Sequence, residues 1–174
     1  VVTTAVVGSE QTDGFFDMTV FVLLGLWGFG PDPNFGIPDQ KQIETVLSYT
    51  GHKKINVREK TIIKEHPETK LDLNAIAKGF AVDEVFHFLQ SKGFTDLFVE
   101  IGGEVQCSGR NQLNKYWSIG IENPSGGNKL NQIFAAIVYS DGGAVATSGN
   151  YRNFVSIDGE ILGHTINPKT GIPI

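Results

Sequence analysis

The stretch from Leu71 to Gly93 constrains this chain more than any other. Val82, Val85, Phe86 and Leu89 recur at helical spacing, and Gly93 ends the pattern. This predicts a helix over 75–92, with Asn74 as its N-cap. The four-residue stripe is expected to be buried, each side chain contributing roughly 1.5–3 kcal/mol. Beyond the helix the chain reads almost entirely as strand: Leu97–Ile101, Val105–Ser108, Trp117–Glu122 and Ile133–Tyr139. Asp158-Gly159 between Phe154–Ile157 and Glu160–Leu162 is a hairpin signal. Helices followed by many strands predict an α+β fold, a mostly antiparallel sheet with packed helices.

The first half adds shorter elements. Residues 1–14 read as the end of a helix closed by Thr12-Asp13-Gly14. Asp39 and Gln42 fit a capping box ahead of the apolar stripe Ile43, Val46 and Leu47, and Gly51 supplies the stop. Residues 54–64 read as a hairpin. A chain of 174 residues fits one domain, 1–174.

Composition excludes some classes. The formal net charge is −5 and no run of Lys or Arg occurs, which argues against a nucleic-acid partner. Cys107 is the single cysteine, so no internal disulfide forms. The longest apolar stretch, Met18–Phe29, is too short and too interrupted by glycine to span a bilayer. The opening residues lack the charged leader and long apolar run of a signal peptide, and both ends read as cut.

Four places carry residues suited to chemistry. The start of the predicted helix offers free N–H groups, with Lys78 adding a point charge and Gly79 room for close approach, a combination suited to phosphate. The bland alternative is a capped helix with Lys78 in solvent. Ala144–Tyr151 reads as a loop of small residues, in which Thr147-Ser148-Gly149 can form an anion nest or a plain turn. His164 follows a hairpin and precedes a proline loop, and an imidazole titrates near neutrality, so it is the best candidate base. His52, His66 and His87 lack such company. Trp27-Gly28-Phe29 can stack on a flat heterocycle or simply fill the core. No CxxC or HxxxH metal pattern occurs, and Asp17, Asp72, Asp83 and Asp141 are dispersed. A Ser148–His164–Asp141 triad can be drawn, but no G-x-S-x-G elbow supports a serine hydrolase.

Read in order, EQTDGFFDMT, LWGFGP, LDLNAIAKGFAVD, VEIGGEV, WSIGIENP, AVATSGNYRNF and HTINPKTGIP resemble the FAD:protein FMN transferase (ApbE) family block by block. That family's pattern runs TDGAFDPT, LWGFG, DLGGIAKGYAVD, LVNLGGDI, W-x-IGIQDP, ATSGDY and H-x-IDP-x-TG. The resemblance covers nearly the whole chain. It implies an ApbE-like fold and magnesium-dependent transfer of FMN from FAD to a threonine hydroxyl of a target flavoprotein, releasing AMP. It maps Trp27, Gly28 and Phe29 onto the flavin-contacting stretch and Asp72 onto the FAD-binding aspartate. It places the Ala75 backbone oxygen as a metal ligand and His164 as base for the acceptor threonine. Thr147, Ser148 and Gly149 line the site. For such a substrate, Lys78 and Lys169 are the nearest candidates to offset diphosphate charge. Two other activities fit the same scaffold: an FAD pyrophosphatase giving FMN and AMP, and a non-catalytic flavin-binding module.

There are departures from the pattern. Phe21, Val22 and Gly25 stand where the family commonly has Gly, Pro and Asn, and Asn150 and Asn167 each stand where it has Asp. The family's M-G-T region and its C-terminal D-x-x-x-T, which carries the other metal ligands, lie outside this sequence, so weak Mg²⁺ binding by these residues alone is expected. Family resemblance also implies a location in the periplasm, or at the inner membrane facing the periplasm through a lipoprotein anchor.

Overall fold

Local signals set most of the element boundaries. The computed structural model describes residues 1–30, 36–123, 134–149, 154–157 and 160–174. Four α-helices are formed among them: α1 (Val2–Gln11), α2 (Phe21–Leu26), α3 (Gln40–Leu47) and α4 (Asn74–Ser91). Nine strands accompany them: β1 (Ile55–Arg58), β2 (Thr61–Lys64), β3 (Leu97–Ile101), β4 (Glu104–Ser108), β5 (Trp117–Glu122), β6 (Phe134–Ser140), β7 (Gly142–Val145), β8 (Phe154–Ile157) and β9 (Glu160–Gly163). Every strand pairing among the described residues is antiparallel. The fold is α+β, as expected.

Contacts divide the chain into two compact units, Val1–Ala75 with Asn150–Ile174, and Ile76–Gly149. In the first unit the predicted capping box is present. The Asp39 carboxylate accepts from the Gln42 N–H at 2.8 Å, and the Gln42 side chain accepts from the Asp39 N–H at 2.8 Å. Ile43 and Val46 then join Leu23, Trp27 and Ile166 in one buried cluster, with Leu47 packed against it. The hairpin expected over 54–64 forms as β1 and β2, Arg58 opposite Thr61. The turn Asp158-Gly159 lies outside the described residues, but its strands β8 and β9 pair in the expected register.

In the second unit, β3, β4 and β7 form a three-stranded sheet, and β5 pairs with β6. Val82 and Phe86 of α4 pack on Leu97 and Val99 of β3, with Leu89 and Ile101 at the margin. On β4, Val105 and Cys107 pack with Ile119 of β5.

Three expectations need correction. Val85 is 41% exposed, not buried. At about 100° per residue it sits roughly 60° from Val82, at the edge of the stripe, and β3 covers only the arc of Val82, Phe86 and Leu89. Asn74 is the first residue of α4 and not its cap; its N–H donates to the Asp72 carboxylate at 2.7 Å, so Asp72 performs the capping hydrogen bond. Finally, the small-residue stretch before Thr147 is not all loop. Gly142–Val145 forms β7 because β4 offers a free edge, although Gly-Gly-Ala-Val has little strand propensity of its own.

Candidate functional site

Asp72 precedes α4 and is held at two points. Its N–H donates to Met18 O at 2.6 Å, and its carboxylate accepts from Asn74. Met18 is itself fixed within a buried polar node that the linear order of residues conceals. Asp17 Oδ1 accepts from Thr19 N–H at 2.8 Å and from Thr19 Oγ1 at 2.6 Å. Asp17 Oδ2 accepts from His52 N–H at 2.6 Å and lies 3.2 Å from His52 Nδ1. Thr19 Oγ1 also accepts from Gly51 N–H at 2.6 Å. The side chains of Asp17 and His52 are 3% and 11% exposed. A carboxylate this deep is tolerable because these contacts replace its water. His52 therefore has company that its sequence neighbours do not reveal. The signal available in sequence was the polar pair Asp17 and Thr19 flanking an apolar Met18.

Trp27 and the loop after β9 are fastened together. The Trp27 indole N–H donates to Gly171 O at 2.6 Å, and Trp27 is buried in the Leu23–Ile166 cluster. Gly171 has φ +71°, and a Cβ there would meet Ile43 Cγ2 at 2.7 Å, so only glycine fits. The loop closes on itself: Gly171 N–H donates to Asn167 O at 2.8 Å, and Lys169 N–H to Asn167 Oδ1 at 2.9 Å. That second bond needs an acceptor oxygen, not a charge, which accounts for Asn serving at position 167. The half-buried Phe29 presents its ring edge-on to His164, centroids 6.4 Å apart. Thus Trp27, Gly28, Phe29 and His164 belong to one local assembly. Its outer margin carries Lys169, which donates to Asp13 Oδ2 at 2.9 Å and sits 4.2 Å over the Phe15 ring. The hydrogen bond and charge of Lys169 hold the Asp13 carboxyl below its ordinary value.

In the second unit Lys78 has definite partners. Its ammonium donates to Gly102 O at 3.0 Å and meets Glu104 Oε2 at 2.7 Å. Thr147, Ser148 and Gly149 follow β7 as exposed residues without regular structure. Asp72, Ala75 and His164 fall in the first unit, Lys78 and Thr147–Gly149 in the second.

Ala75 lies in the first turn of α4 and is exposed. Its carbonyl is a hard, neutral oxygen, acceptable to Mg²⁺ but short of the carboxylate that ion usually takes. Among the described residues no group of three or more His, Cys, Asp or Glu could hold a metal. Among the described residues these donors do not make a complete Mg²⁺ site.

The profile of the ApbE family matches residues 1–174. This chain belongs to the ApbE family. An FAD:protein FMN transferase of Vibrio cholerae is 40% identical over 164 residues, covering 94% of this chain and 48% of that protein. The Escherichia coli K12 protein of the same name is 34% identical over 179 residues, covering all of this chain and 50% of its own length. A crystal structure of an ApbE protein from Thermotoga maritima superposes with a TM-score of 0.83 at 34% identity, covering 99% of this chain and 55% of that one. The chain thus spans about half the length of the curated relatives it matches.

Proposed function

We propose that this chain forms part of an enzyme that transfers FMN from FAD to a threonine of a target flavoprotein, with Mg²⁺ assisting and AMP released. The observation that carries this reading is the ApbE family match along residues 1–174, with relatives named FAD:protein FMN transferase. In this reaction the acceptor hydroxyl oxygen attacks the phosphorus of the FMN half. The bond from that phosphorus to the AMP oxygen breaks, and the hydroxyl proton passes to a base. His164 is the base in this reading. Its imidazole sits beside Phe29, and packing that restricts the ring favours a fixed attack geometry. The Trp27-Gly28-Phe29 stretch faces the flavin through its half-buried members Gly28 and Phe29, since the Trp27 indole N–H is committed to Gly171. Asp72 offers a carboxylate to the FAD polar groups, and Lys78, Thr147, Ser148 and Gly149 serve the diphosphate. When bound, Mg²⁺ would neutralise phosphate charge, with the Ala75 carbonyl among its ligands. In this reading the site of action is the periplasm or the periplasmic face of the inner membrane.

Mass spectrometry of a co-expressed flavoprotein target, with magnesium and FAD supplied, tests this. A mass gain matching FMN on a threonine, with AMP in equal amount, is the expected result. AMP and free FMN without protein labelling would make the protein a pyrophosphatase. FAD binding with neither product would make it a flavin-binding module. His164→Ala should lower transfer about 10²–10⁴-fold while leaving FAD affinity largely intact.

A further inference from the structure

Lys78 is clasped more closely than a solvent-facing lysine requires. Glu104 lies opposite Ile101 in the β3–β4 register, and Ile101 packs at the margin of the cluster beneath α4. The Glu104 side chain is 15% exposed, whereas that of Lys78 is 49% exposed. Glu104 Oε2 is buried and has no hydrogen-bond partner among the described residues, so its ion pair with the Lys78 ammonium at 2.7 Å is the compensation it has there. The turn beneath is shaped for this contact. Gly102 has φ +59°, and a Cβ there would come within 3.0 Å of Lys78 Cδ. Glu100 secures the same turn by accepting from Gly103 N–H at 2.7 Å.

An ammonium has three N–H donors. Gly102 O takes one through a hydrogen bond and the ion pair with Glu104 draws the ammonium toward the carboxylate, which leaves a donor for an incoming acceptor. Glu104 also cancels the charge of Lys78, so this lysine recognises an anion through a directed donor more than through net attraction. We propose that Glu104 is a positioning residue, holding the Lys78 ammonium on the Gly102 turn so that its remaining N–H serves a phosphate oxygen of the flavin dinucleotide. The inference rests on the reading of FAD as substrate.

Titrations of FAD and of riboflavin, at low and high salt, test it on the wild-type protein, Glu104→Gln, Glu104→Ala, Lys78→Met and the Lys78→Met/Glu104→Ala double variant. Glu104→Ala frees the ammonium to swing and should weaken FAD binding about tenfold. Glu104→Gln keeps an oxygen for the ammonium but not the charge. It should hold FAD within about threefold of wild type, with a steeper salt dependence. Riboflavin has no phosphate and should bind all variants alike. In the Lys78→Met background, Glu104→Ala should add no further loss. Equal losses for FAD and riboflavin, or an undiminished Glu104→Ala effect without Lys78, would overturn the positioning role. The isosteric Glu104→Gln keeps the test open if Glu104→Ala fails to fold. Wild-type protein that binds riboflavin but not FAD overturns this inference alone. Binding of neither overturns the functional reading and this inference with it.

Discussion

The two units secure their candidate residues by different physics. In Val1–Ala75 with Asn150–Ile174, the supports are buried polar contacts between segments far apart in sequence: Asp17 with His52, and Trp27 with Gly171. In Ile76–Gly149 the support is an apolar helix face on a sheet, with the Lys78–Glu104 pair at its partly exposed margin. A buried polar contact is specific in direction and costly to leave half made, whereas an apolar face tolerates its edge being wet. Val85 and Phe88 stay exposed on α4 without disturbing Val82 and Phe86, while Asp17 has both carboxylate oxygens engaged.

The largest effect expected from breaking this comparison lies in the apolar unit. Phe86→Ala should cost about 3–5 kcal/mol, because Phe86 is 4% exposed and its site cannot collapse fully. Phe88→Ala, two residues along and 59% exposed, should stay within about 0.5 kcal/mol. Denaturant melts of both variants measure the contrast, and equal losses would erase the distinction between covered and open faces of α4.

Next comes the polar node. Asp17→Asn keeps the shape but turns an amide donor toward either Thr19 or His52, leaving a buried N–H unanswered. The expected loss is about 2–3 kcal/mol. Because Asp72 hangs on Met18, the same variant should also weaken FAD binding, a coupling that Phe86→Ala lacks. Melts paired with FAD titrations on both variants separate the two.

Trp27→Phe removes the donor to Gly171 O and should cost about 1–2 kcal/mol. If only the hydrogen bond mattered, Trp27→Phe and Gly171→Ala would be alike. Gly171→Ala should be worse in the same denaturant melts, since its Cβ meets Ile43 and its φ is strained.

The smallest effect is at the margin. Asp13 is held below its ordinary pKa of 3.8 by the hydrogen bond and charge of Lys169. A carboxyl lowered in the folded state adds stability that is complete above the unfolded pKa and lost as pH falls through the folded one. Its pH window therefore lies below 3.8. Both partners are well exposed, so Asp13→Asn should leave the melting temperature at neutral pH unchanged.

Sequence by itself determined the elements whose signals are local. The Asp39–Gln42 box, the stripe through Val82, Phe86 and Leu89, and the strands from Leu97 onward each depend on residues a few positions apart, and all are found. The ordered motifs also sufficed to identify the family. Tertiary structure alone decided the rest. Whether Val85 is covered depends on the width of β3, not on α4. Gly142–Val145 becomes a strand because β4 presents an edge to it. His52 is tied to Asp17, 35 residues away, and Trp27 to Gly171, 144 residues away. Such pairs leave no periodicity in a chain, because hydrogen bonds between distant segments are fixed by how the backbone folds back, and the residue types involved occur everywhere else for other reasons.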